Sequence, residues 1–299
     1  MLTVCIPVYN QNVERLVKEL SAQVKLLHGK VSILLIDDAS SEEFQAQYKI
    51  IRAFAKVIQL DVNIGRSKIR NAFLEYTSAD YLLFLDCDAQ IVRSDFLSKY
   101  LEFIKVNRPK VLFGASIYQK ETPPVNYRLR WKYGSMIESK SFQFRISAPQ
   151  LGFKTNNFLV DRNILKLYPF NELITGYGHE DTLFGFELEQ NGISICHIDN
   201  PVLNAHLDSN SQFLNKTDEA LNNLFHIWEL SDKNELLLER LNILKVYFRH
   251  ERNLILSIIL RCLMRPLRFL LDRGVSSLTL FNLYKLAYLF AFNPAQRRQ

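Results

Sequence analysis

A chain of 299 residues with 48% hydrophobic and 12% aromatic content can bury a sizeable core, which excludes a disordered protein. Its four cysteines, at positions 5, 87, 196 and 262, form no Cys-x-x-Cys pair, which argues against a zinc site or a disulfide framework and suits a reducing compartment. The net charge of +6 sits in the tail: from Lys245 onward ten Lys/Arg accompany two acids, leaving 27 basic and 29 acidic groups before it, so the body has no basic groove for nucleic acid.

Met1 leads directly into an apolar segment, so no secretory signal is expected, and no run of eighteen uncharged apolar residues predicts a transmembrane helix. Residues 2–8 read as a strand ending at Tyr9-Asn10, with Pro7 limiting its hydrogen bonding. Val13, Leu16, Val17, Leu20, Val24 and Leu27 recur at helical spacing, predicting a helix over 12–28. A second strand over 31–36 closes on Asp37-Asp38, a helix follows over 44–54, and a short strand over 57–60. A turn at Asn63-Ile64-Gly65-Arg66 precedes a helix over 67–76.

Tyr81 to Leu85 is an apolar run followed by Asp86-Cys87-Asp88, the pattern of a buried strand with carboxylates at its end. A helix over 94–106 and a strand over 111–117 come next. Strands alternating with helices at this spacing predict a mainly parallel α/β sheet, and parallel strands share one carboxyl edge. Tyr9-Asn10, Asp37-Asp38 and Asp86/Asp88 therefore fall on one side, where open sheets bind ligands. Two converging Asp side chains suit a hard divalent cation carrying phosphates; the alternative is a solvated loop cap. The first strand is followed by no Gly-x-Gly-x-x-Gly, and the chain has no phosphate-cradling P-loop.

Residues 118–155 are less regular, with a cationic aromatic stretch from Tyr127 to Tyr133 that reads as a sugar- or phosphate-binding segment or as a half-buried surface helix. A returning strand is expected over 156–160 and a short helix from Asp161. Gly176-Tyr177-Gly178-His179-Glu180-Asp181 opens a helix over 180–191, with both acids in the first turn. Short strands are expected at 193–198 and 202–205, the second ending at His206, a candidate metal ligand. Helices then fill the chain over 214–231, 233–250, 252–264 and 276–292. The last two are very apolar with arginine flanks, which reads as an interfacial membrane anchor, or as a bundle packing on the body or on a second subunit.

Five stretches, in order, resemble family 2 glycosyltransferases: Val4 to Asn10, Leu35 to Ser40, Asn63 to Asn71, Leu83 to Asp88, and Gly176 to Asp181. The resemblance covers about 1–207 and implies an inverting enzyme of GT-A fold that uses a nucleotide-diphosphate sugar. It implies two domains, a GT-A domain over 1–212 and a helical, basic, apolar extension over 213–299. By the same likeness Pro7, Tyr9, Asp38, Arg70 and Asp86 bind the nucleotide sugar. Asp88 and His206, with Asp86, hold Mn²⁺ or Mg²⁺; Asp181 is the catalytic base; and Glu180, Tyr177 and Gly178 bind the acceptor. Ala39 and Ile69 stand where the family usually has glycine and a small residue. The donor implied is UDP-Gal, UDP-GalNAc or UDP-GlcNAc, and the acceptor a glycan or lipid-linked glycan. The enzyme would be cytoplasmic and peripheral at the inner membrane face through 245–299, with a homodimer also compatible. Two other readings are a nucleotide-sugar-binding protein with a vestigial site and a nucleotidyltransferase, the latter lacking its Gly-rich loop after the first strand.

Overall fold

The computed structural model describes residues 1–292; Arg297 and Arg298, counted above in the basic tail, lie outside the described residues. The strands are β1 (Leu2–Val8), β2 (Val31–Asp37), β3 (Lys56–Gln59), β4 (Tyr81–Leu85), β5 (Ala89–Ile91), β6 (Val111–Phe113), β7 (Ser116–Ile117), β8 (Asn157–Asp161), β9 (Ile195–His197) and β10 (Val202–Asn204). The helices of the first half are α1 (Glu14–Lys25), α2 (Glu42–Gln45), α3 (Tyr48–Ile51), α4 (Arg66–Tyr76), α5 (Phe96–Asn107), α6 (Arg128–Tyr133) and α7 (Phe142–Ser147). Those of the second half are α8 (Arg162–Leu167), α9 (Glu180–Gln190), α10 (Asn210–Leu230), α11 (Glu235–Arg240), α12 (Asn242–His250), α13 (Leu254–Asp272) and α14 (Leu278–Phe292).

The chain divides into two compact units. The first comprises residues 1–119, 138–175 and 180–206; the second comprises 120–137, 176–179 and 207–299. The division is thus not a single cut near residue 212: two upstream segments group with the C-terminal helices.

The first unit is built on a seven-stranded sheet of order β3-β2-β1-β4-β8-β6-β9, mostly parallel. Alternation along β1 explains its central place. Val4, Ile6 and Val8 enter one core with Leu16, Val17 and Leu20 of α1 and Phe96, Leu97 and Tyr100 of α5. Cys5 faces the other way, with Ile69 and Phe73 of α4, Phe158 of β8 and Phe184 of α9. Apolar residues on both faces of a strand are what a sheet covered on both sides requires. Pro7 sits two residues past the last β1–β4 rung, Cys5↔Phe84, so its missing N–H costs no bond on that side.

Several elements differ from the sequence pattern, each for a local reason. Strand β8 runs antiparallel to both β4 and β6, a direction that its apolar run does not encode. The helix expected over 44–54 is two single-turn pieces, α2 and α3. The strand expected over 111–117 breaks at Gly114-Ala115, where Ala115 has φ +72°; β6 stays in the large sheet and β7 joins a second sheet, β5-β10-β7. Helix α13 continues through Pro266 to Asp272, eight residues beyond the expected end at 264.

In the second unit α14 is the buried member. Phe281, Tyr284, Ala287, Leu289 and Phe290 are covered, and the rings of Tyr133 and Phe213 lie 5.5 and 5.3 Å from that of Phe281. Of the two apolar helices at the end of the chain, α14 therefore takes the bundle-packing role.

Candidate active site

The carboxyl ends of β1, β2 and β4 lie side by side, because β1 pairs in parallel with both neighbours. The ends of β1 and β2 are stapled by Asn10, whose N–H donates to Ser40 Oγ (2.8 Å) and whose Oδ1 accepts from Ser41 N–H (2.9 Å). Tyr9 emerges from this staple 53% exposed, an aromatic face open to a ligand, while Pro7 behind it is half-buried.

Asp38 follows β2 and is buried. Its Oδ1 accepts from Ile64 N–H (2.7 Å) and its Oδ2 from Gly65 N–H (3.1 Å), so it also fixes the turn that starts α4. Burial raises its carboxyl from the ordinary value, the two backbone donors offset part of that, and neighbouring Asp37 adds to the rise. Ala39, next in the chain, has φ +60°, a left-handed conformation that explains why glycine is the usual occupant of that position.

Helix α4 delivers Arg70 into the interior, 2% exposed and 5.5 Å over the ring of Phe170. Burial lowers its pKa from the ordinary value, and Arg66 adds to that. One guanidinium nitrogen donates to Arg66 O (3.0 Å), the other reaches Asp86 Oδ1 (3.4 Å), and Glu180 Oε1 is 3.6 Å away. Glu180 is itself only 5% exposed and takes a second cation, Arg66 Nε, at 2.5 Å. The side chain expected to bind acceptor hydroxyls is thus engaged in a buried ion cluster. Its neighbour Asp181 takes a different partner: Lys154 Nζ lies 3.0 Å from Oδ2, and Thr182 Oγ1 donates to Oδ1. Both acids stand in the first turn of α9, where unsatisfied backbone N–H groups favour negative charge.

After β4 the chain passes through Asp86-Cys87-Asp88 into β5, which pairs antiparallel with β10 in three rungs ending at Asn204↔Ala89. Asp88 precedes Ala89 by one residue and the exposed His206 follows Asn204 by two, so the ladder sets side by side two segments more than a hundred residues apart in sequence. Cys87 stays a thiol, pushed up to about 12 by burial and then by the charges of Asp88 and Asp86. Among the described residues no three His, Cys, Asp or Glu side chains are gathered closely enough to form a metal cluster on their own. Asp86, Asp88 and His206 are thus not a pre-assembled triad. The oxygen-rich donor set still fits Mg²⁺ or Mn²⁺, which are commonly held by one or two carboxylates with substrate phosphates completing the shell.

Tyr177 and Gly178 belong to the second unit. Asn223 Nδ2 donates to both of their carbonyls (3.1 and 3.3 Å), and Lys216 Nζ lies 5.4 Å from the centre of the Tyr177 ring. Gly178 has φ +99°, and a Cβ there would lie 2.6 Å from that of Ala220, so packing on α10 alone accounts for this glycine.

The residues not anticipated are Arg66 and Lys154. Arg66 belongs to the recognised turn segment, but only the fold reveals that it points at Glu180. Lys154, in an irregular stretch, carries no local signal at all.

The profile of "Glycosyl transferase family 2" matches residues 3–168, more than half of the chain. A curated relative, an "Uncharacterized glycosyltransferase" of Haemophilus influenzae, is 26% identical over 197 residues, covering 62% of this chain and 70% of that protein. Among solved structures, a mannosyltransferase from Pyrobaculum calidifontis, in complex with GDP-Man and Mn²⁺, superposes with a TM-score of 0.60 at 12% identity, over 100% of this chain and 87% of that one. S. aureus TarS 1–349 in complex with UDP gives 0.52 at 19% identity, over 100% and 92%.

Proposed function

The chain belongs to glycosyl transferase family 2, and on that premise we propose that it moves a sugar from a UDP-sugar to an acceptor hydroxyl with inversion, in a reaction aided by Mn²⁺ or Mg²⁺. The observation that supports this reading is the β5–β10 ladder, which pairs the segment just after Asp86 and Asp88 with the segment just before His206. The mannosyltransferase neighbour is described with Mn²⁺ and TarS with UDP, which supports the choice of metal and nucleotide.

Asp88 and His206 would hold the cation, with Asp86 reaching it or the ribose. A bound divalent ion offsets charge on the departing diphosphate. Tyr9 offers an aromatic face for the base, and Asp38 keeps acceptor capacity beyond its two backbone bonds because a carboxylate offers about four lone-pair sites. Arg70 holds Asp86 in place from below. Asp181 takes the proton of the acceptor hydroxyl as that oxygen attacks C1 from the face opposite the phosphate. Lys154 is partly exposed and can swing away from Asp181 when the acceptor arrives. Glu180 acts one step back, orienting Arg66 and Arg70. The donor sugars best suited to the motif pattern are Gal, GalNAc and GlcNAc, and the acceptor is a glycan or lipid-linked glycan.

Screening UDP-sugars for UDP release with and without Mn²⁺ tests the reading. Turnover with one UDP-sugar should depend on the metal and fall by at least ~10² in Asp88→Asn and His206→Ala, the scale of several kcal/mol of charge stabilisation. Binding of UDP without any turnover would leave a nucleotide-sugar-binding protein instead.

A further inference from the structure

Helix α13 buries one face and leaves the opposite face apolar. Ser257, Leu260, Met264, Leu267 and Leu271, spaced by three and four, are covered within the second unit. Ile255, Ile258, Ile259, Leu263, Phe269 and Leu270 project outward, Ile255 by 75%, Ile258 by 63% and Phe269 by 57%. A helix that is apolar all round normally has neighbours all round, and a contiguous exposed apolar strip marks an interaction surface. No helix among the described residues is long and apolar enough to cross a membrane, so this one does not span.

The cations indicate what the strip meets. Arg261 and Arg265, one turn apart, run along one border of it, Arg252 precedes the helix, and all three are exposed, Arg261 also donating through Nε to Phe290 O (2.8 Å). Arg273 follows the last turn with its guanidinium 4.6 Å over the Phe269 ring. Arg268 is different, turned inward to Asp218 and Tyr284. Only Glu251 and Asp272, at the two ends, offer exposed negative charge on this segment.

We infer that α13 lies flat on an anionic lipid surface, its aliphatic strip sunk between headgroups and its bordering arginines on the phosphates. The helix is about 28 Å long at 1.5 Å per residue, in the range of interfacial amphipathic helices. A second copy is the less complementary occupant, because two such faces would bring arginine borders together with only the end acids to answer them. Headgroup phosphates oppose the whole border. This surface does not involve the sugar-transfer residues, so its test is independent of the reading above.

The test is flotation of the full chain with phosphatidylcholine vesicles and with vesicles of equal phosphatidylcholine and phosphatidylglycerol. The chain should float with the anionic vesicles only. Ile255→Glu with Ile258→Glu should abolish flotation. Arg252→Gln with Arg265→Gln should weaken it roughly 25-fold, at about fivefold per surface arginine. Unchanged circular dichroism and melting temperature establish that both double variants fold, as expected for exposed positions. Equal flotation with both vesicle types, or none with either, overturns the inference. So does a concentration-dependent dimer that Ile258→Glu dissociates while the parent chain fails to float.

Discussion

Glu180 Oε1 stands 2.5 Å from Arg66 Nε and 3.6 Å from Arg70, so one buried carboxylate faces two arginines that α4 presents a turn apart, and Asp86 shares Arg70. Burial alone would raise the Glu180 carboxyl; Arg66 and then Arg70 outweigh it and hold it below its usual range. Glu180→Gln should therefore cost about 3 kcal/mol by urea unfolding at pH 7, because the cluster loses its buried carboxylate and Arg70 keeps only the partly exposed Asp86, 3.4 Å away. A depressed folded-state pKa contributes stability above the unfolded value, near 4.5, and loses it as pH falls through the folded one. Parent and variant curves should accordingly converge at acid pH.

Asp181 and Lys154 form the adjacent but separate pair. Asp181→Asn keeps the shape of the site and removes the base, so UDP binding should persist while sugar transfer falls by at least ~10². Lys154→Met leaves the carboxylate in place and should lower transfer far less. Single-turnover assays with isothermal titration of UDP distinguish the two steps. A fully active Asp181→Asn enzyme would remove Asp181 from the mechanism.

Ala39 has the left-handed backbone, φ +60°, at a turn where a side chain is a burden. The penalty for Cβ in that region is roughly 1–2 kcal/mol, part of which glycine returns through its looser unfolded chain. Ala39→Gly should raise stability by up to about 1 kcal/mol, read as a higher urea midpoint at unchanged slope.

Glu187 lines an open pocket of about 560 Å³ with Asn71, Tyr168, Phe170 and Asn191. Burial pushes its carboxyl up to about 7. The folded state thus keeps the proton that the unfolded chain releases near 4.5, and stability present at lower pH is lost as pH rises through 7. Glu187→Gln should raise the melting temperature at pH 8 and leave it nearly unchanged at pH 4.5.

Legibility from sequence followed the range of the forces involved. Strands β1, β2 and β4, and with them the shared edge of Asp38, Asp86 and Asp88, were readable because apolar runs closed by polar residues are local signals. The antiparallel insertion of β8 was not, since Phe158, Leu159 and Val160 fill both faces equally in either direction. Pro266 reads as a helix breaker, yet α13 continues through it to Asp272, with the proline on the exposed side. In the site, the motif residues announced themselves, whereas Lys154 reaches Asp181 only through the packing of the first unit. Glu180 was visible as a motif member, but its engagement with Arg66 and Arg70 depends on α4 and α9 covering the same sheet face.

The three rungs between β5 and β10 have a further consequence, for where the chain can be cut. They form a seam joining residues 89–91 to residues 202–204, so every acidic motif residue lies upstream of the strand that completes the seam. A chain stopped after Asn200 retains Asp38, Asp86, Asp88 and Asp181 but has neither β10 to pair with β5 nor His206. During synthesis β5 gains its partner only when this last strand of the first unit arrives, long after the motif carboxylates have been made.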